Sequence, residues 1–230
     1  MSDLAMRARI NLYDRWNFDS CEYYFEKIIG EKNTPAFAYS DYGWYLMLLD
    51  RFDEGLEYIR TAAEMAPSDV QLVTWYAWAL LWAGEVTGAK EWINKALVLN
   101  PDNGEALHVA SRIFLADGEF DDAIKYAEMT ASRDKNWRGI EPLALARAGR
   151  TGDALHTMNS MIADQTAFDC WFFVETYATL GETDKALQNL QKAFDQKFPF
   201  MPWLDLSPGL DALHALEQYK VILEKINLPR

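Results

Sequence analysis

The amino-acid sequence predicts an all-α protein, a solenoid of about six helix–turn–helix repeats ending in C-terminal capping helices. Three observations predict it. The first is a 34-residue recurrence: Ala89–Pro101 reads as a helix with a proline stop, Glu64–Pro67 ends another such helix 34 residues earlier, and Ala123–Met129 lies 34 residues after Ala89. The second is a column of small residues in that frame, Cys21, Gly55, Ala89, Ala123, Ala154 and Ala186. The third is a column of turn glycines, Gly84, Gly118, Gly149 and Gly181.

The frame sets repeats near 2–35, 36–69, 70–103, 104–137, 135–168 and 167–200, with the register slipping before the fifth and the sixth. The small column falls where the second helix of each hairpin crosses the first and leaves no room for a large side chain. The turn column calls for φ > 0, which glycine adopts without steric cost; Trp16 and Asp50 depart from it. Two residues later Phe18, Phe52, Val86 and Phe120 anchor the second helix, weakening to Thr151 and Thr183. Phe25, Ile59, Ile93, Met158 and Leu190 give each second helix one large apolar residue, with Ala127 the exception. Pro67 and Pro101 end their helices. The first and fifth repeats fit worst: Arg9 occupies a small-residue position, and Pro142 shortens the fifth repeat's first helix. A lone hairpin cannot bury this much apolar surface, so the units must stack in series.

This pattern resembles the tetratricopeptide repeat (TPR) family, which implies a right-handed superhelical solenoid over residues 1–200, followed by capping helices over 201–230. Two prolines break Phe198–Trp203; Ser207-Pro208 reads as a cap and helix start, and 215–226 as a last amphipathic helix. The tail from Trp203 to Pro229 resembles the one that follows TPR arrays attached to bacterial cyclases, kinases and transcription regulators, which implies a sensing or docking role.

A net charge of −13 disfavours nucleic acid and anionic membrane surfaces, and the cations are scattered among acids. The N-terminus lacks the apolar core of a signal peptide, and the longest nearly apolar stretch, Trp75–Ala83, is too short to span a bilayer. Cys21 and Cys170 do not suggest a disulfide framework. The expectation is a soluble, cytoplasmic chain. No phosphate-binding glycine loop, nucleophile elbow or metal-ligand spacing occurs; His108, His156 and His214 lie far apart, and Cys170 reads as a small buried hydrophobe. No enzyme activity, cofactor or metal is expected.

The TPR resemblance assigns groove exposure to the second, fifth, ninth, twelfth and thirteenth positions of each repeat. It thereby implies a peptide- or protein-binding set of Phe37, Trp44, Met47, Thr74, Trp78, Leu81, Trp82, His108, Arg112 and Trp171. The lysine and asparagine pattern with which chaperone-cofactor TPRs clamp a C-terminal carboxylate is absent: Ser40, Thr74, His108 and Trp44, Trp78, Arg112 stand there instead. Tryptophan and methionine are typical anchor-pocket residues, so the expected partner is an apolar or aromatic segment, with Arg112 available to a carboxylate. Three alternatives stay open: the rings pack between adjacent helices, Phe198–Trp203 folds back into the groove, or the aromatic face forms a homodimer.

Overall fold

The computed structural model describes residues 3–207 and 209–228; Pro208 and Pro229 of the tail lie outside them. No strand occurs among the described residues. Six hairpins follow in order. They are α1 (Asp3–Ile10, extended by a π-helical turn Asn11–Arg15) with α2 (Phe18–Ile28), α3 (Ala36–Leu48) with α4 (Phe52–Met65), and α5 (Val70–Trp82) with α6 (Val86–Leu99). Then come α7 (Gly104–Ala116) with α8 (Phe120–Arg133), α9 (Ile140–Arg147) with α10 (Thr151–Met161), and α11 (Ala167–Thr179) with α12 (Thr183–Asp195). The hairpins stack in sequence order, α1 on α3 and so on through α9 on α11.

The crossing column explains the packing. A Cβ added at Gly43 would lie 2.5 Å from the Gly55 carbonyl oxygen, so α3 and α4 touch backbone to backbone. In the fourth hairpin the same pair of positions is Ser111 and Ala123, and the Ser111 hydroxyl donates to the Ala123 carbonyl at 2.9 Å. Every member of the small column is buried. Asn103 caps α7 through the Ala106 N–H, and Thr166 with Asp169 forms a capping box on α11.

The turn column keeps its conformation even where glycine is missing. Trp16 has φ 54° and Asp50 φ 57°, beside 81° at Gly84. An L-residue there carries a steric cost that glycine does not. Because Asp50 is exposed, Asp50→Gly is expected to raise the unfolding free energy by about 0.5–1 kcal/mol. An unchanged urea midpoint would show the turn to be unstrained.

Arg9 does not face the crossing. The wide turn after α1 accompanies a change of phase in which Ala5 and Ala8 are buried. The Arg9 guanidinium lies 5.3 Å from the Trp75 ring and 5.7 Å from Phe37 instead. Pro142 falls in the first turn of the shortened α9, where a proline is tolerated.

The array curls until its ends meet. The Trp16 ring lies 5.6 Å from Phe194 of α12, and Lys197 Nζ sits 3.8 Å above it. A 3-10 turn (Met201–Leu206) crosses the concave face against α3 before α13 (Asp211–His214) and α14 (Glu217–Ile226) return to pack on α12.

Candidate functional site

The concave face is built from the first helices of the hairpins, and its centre is aromatic. Trp44 of α3 meets Trp82 of α5 at 5.4 Å and Trp78 at 6.1 Å, both edge to face. Trp78 in turn meets the His108 ring of α7 at 5.4 Å. These rings do not face open solvent. Phe198, Phe200 and Trp203 lie over them: Phe198 stacks on Trp171 at 5.1 Å, and Phe200 packs on Trp78 at 5.5 Å. Trp203 stacks on Tyr13 at 5.5 Å and donates its Nε1–H to the Trp44 carbonyl at 3.3 Å. The chain's own segment therefore occupies the centre of the face.

This changes where the implied binding residues lie. Trp44, Met47, Thr74, Trp78, His108 and Trp171 are all buried, where the frame implied exposure. The rings lose their solvent face to the returning tail. Met47 packs over Gly55, and Phe37 sits beside Arg9, away from the ring cluster. Leu81, Trp82 and Arg112 keep partial exposure and line an open cleft of about 260 Å³. Its other walls include Leu115, Ala116, Leu143, Arg147 and Thr179. Behind it lies an inner cavity of about 30 Å³ whose walls include Trp78, His108, Trp137 and Phe200.

Sequence reasoning missed Trp137, Trp75 and Tyr13. Trp137 stacks on His108 at 4.6 Å from the turn before α9, where the repeat register slips and no column points to it. Trp75 stands off the groove columns, whereas Tyr13 holds the twelfth position of the first repeat, one of the two that fit the frame worst. Trp75 donates to Glu105 at 2.8 Å, and Tyr13 donates to Asp41 at 3.1 Å.

The polar groups of the face are mostly paired within the chain. Arg112 holds the buried Glu175 carboxylate at 2.7 Å, and its Nε donates to His108 Nε2 at 3.1 Å. Burial, reinforced by the Arg112 charge, pushes the imidazole well below its ordinary value, so His108 is neutral with its proton on Nδ1. That Nδ1 has no partner among the described residues, and neither has Trp78 Nε1. Ser40 and Thr74 hydroxyls, at the same repeat position as His108, are also buried without partners but lie outside the cavity. The Cys170 thiol is buried and pushed up by desolvation, the opposite of an activated nucleophile.

Asp41 is fully buried against Arg9 and Tyr13, and burial raises its carboxyl to about 6. A folded value above the unfolded one means that the native state binds the extra proton between about pH 4 and 6, so stability falls as pH rises through that window. The change is expected to approach roughly 3 kcal/mol, and Asp41→Asn should remove it. Urea midpoints measured at pH 4, 5, 6 and 7 check this; identical slopes in the two proteins would remove Asp41 as the source.

Residues 43–104 match the tetratricopeptide repeat family. The chain is similar in structure to a thermophilic TPR protein of Thermus thermophilus, at 19% identity over 82% of this chain and 99% of that one, with a TM-score of 0.58. It is also similar to PilW, a widely conserved type IV pilus biogenesis factor, at 16% identity over 93% and 99% of the two chains, TM-score 0.61. A tetratricopeptide repeat protein of Parabacteroides merdae matches at 14% identity over 97% and 91%, TM-score 0.55. At these identities the likeness is one of fold. No curated protein matches the chain. With the family match across residues 43–104 and the same crossing and turn geometry repeated on either side, the chain carries tetratricopeptide repeats in its second and third hairpins and has the fold of tetratricopeptide repeat proteins over the rest of the array.

Proposed function

We propose that this chain is a protein-interaction scaffold that takes an extended partner segment in the open cleft between α5, α7, α9 and α11. Interaction scaffolding is the general use of the TPR fold. The finer placement rests on one observation: after the tail has filled the centre of the concave face, a 260 Å³ cleft remains with apolar walls and an exposed Arg147 that makes no ion pair among the described residues. Half-exposed apolar walls beside an unpaired guanidinium favour a segment with an apolar side chain next to an acidic one. Both cysteines are free and buried, in keeping with a reducing, cytoplasmic setting. Among the described residues no helix is long and apolar enough to cross a membrane.

Ala116→Trp, which fills the cleft from an exposed position, and Arg147→Glu are each expected to cut partner capture about tenfold with helicity unchanged. Undiminished capture by both variants would move the partner elsewhere. The rival reading, a homodimer through the aromatic face, has less surface to draw on because Trp44, Trp78 and Trp171 are buried. Light scattering over a concentration series is expected to report a monomer throughout.

A further inference from the structure

The cleft left open beside the returning tail carries an unbalanced charge. Two guanidiniums, Arg112 and Arg147, and one carboxylate, Glu175, stand in its walls. Arg112 and Glu175 meet at 2.7 Å with side chains only 12% and 4% exposed, so they neutralise each other within the protein. Arg147 is exposed and makes no ion pair among the described residues, which leaves the cleft with one positive charge. The tail backbone braces that guanidinium without neutralising it: a Cβ added at Gly209, whose φ is 86°, would come 3.2 Å from Arg147 Nη1.

The other walls are mostly apolar. Leu81, Trp82 and Val86 are half-buried, and Leu115 and Leu143 are buried behind them. At about 260 Å³ the cleft lies just below the usual range of small-molecule pockets, roughly 300–1,000 Å³, so it suits a ligand of few atoms. The net charge of −13 does not forbid an anion there. Solvent-separated charges more than about 8–10 Å apart are largely screened at physiological salt, whereas an anion in the cleft would meet Arg147 directly. A carboxylate can take two guanidinium N–H groups in parallel. A cation would meet Arg147 with the wrong sign. An alcohol would cover the walls and leave the charge unmatched, and an acid without a stem would leave the walls wet.

We propose that the cleft binds small apolar monocarboxylates, with the carboxylate on Arg147 and the stem against Trp82, Leu115 and Leu143. The inference rests on the same cleft as the partner reading above, but the ligand is a free acid and needs no protein segment.

Isothermal titration calorimetry of the full chain with hexanoate, hexanol, hexylammonium and acetate tests it. Hexanoate, with about eight heavy atoms, is expected to bind one site with a Kd in the low millimolar range, about fivefold tighter than hexanol. Hexylammonium and acetate should bind more weakly than either. Arg147→Gln, at an exposed position, should remove the preference for hexanoate and leave hexanol unchanged. Ala116→Trp, which fills the cleft from its exposed rim, should weaken both about tenfold, with the urea midpoint recorded for both variants. Partner capture separates this proposal from the docking reading. Hexanoate binding, with capture untouched by Ala116→Trp, supports the free acid and removes the docked segment; capture lost in that variant without hexanoate binding does the reverse. No hexanoate binding up to about 20 mM, equal affinity for hexanoate and hexanol, or an undiminished preference in Arg147→Gln overturns the proposal.

Discussion

Trp203→Ala is expected to lower the unfolding free energy by about 3–5 kcal/mol, the range for removing a buried tryptophan from a packed core. Trp203 is 1% exposed although it belongs to a short turn beyond the last repeat. Its indole stacks on Tyr13 of the first hairpin, meets Trp44 edge to face at 6.3 Å, and touches Phe200 at 6.0 Å. Deleting it leaves a cavity bounded by residues of three separate elements, none of which can move in alone. Trp203→Phe keeps most of the ring volume and should cost less than half as much. The two midpoints in urea, with near-ultraviolet circular dichroism, measure the difference. A cost below about 1 kcal/mol for the alanine variant would mean that the tail merely rests on a self-sufficient solenoid. The expected value instead makes segment 198–206 part of the core.

The second large effect concerns Arg138, at the turn before α9. Its guanidinium holds the fully buried Asp169 carboxylate through two bonds, of 3.1 and 2.8 Å, and also reaches Asp164 at 2.8 Å. Asp169 simultaneously accepts from the Thr166 backbone N–H at 2.8 Å, closing the capping box of α11. Arg138→Ala leaves a buried carboxylate without its cation, and the expected cost is about 3–5 kcal/mol at neutral pH. Arg138→Ala combined with Asp169→Asn should regain part of the loss at pH 7. If the single variant costs no more than a surface ion pair, under about 1 kcal/mol, the pair is incidental.

The hairpins and their order are legible in the sequence because each rests on short-range physics. The small column, the turn glycines and the proline stops act within one hairpin or across one 34-residue step. The turn geometry persists even at Trp16 and Asp50, where the preferred residue is missing. The breaks are legible too: Pro142 marks the short α9, and Arg9 marks a first hairpin out of phase. Arg112 does pair with a carboxylate, as its place in the frame suggests, but that carboxylate is Glu175, 63 positions along the same chain.

The sequence alone determined that the chain is helical and that its hairpins stack into an array with a concave side. Only the tertiary structure decided what covers that side. An inward ring waiting for a partner and an inward ring in a core have the same helical period. The distinction between them depends on curvature summed over successive hairpin interfaces and on where a proline-broken tail comes to lie. Neither quantity has a local signal. The curl that brings Trp16 to Phe194 narrows the concave face until Phe198, Phe200 and Trp203 fill its centre. What stays open is the cleft beside Trp82.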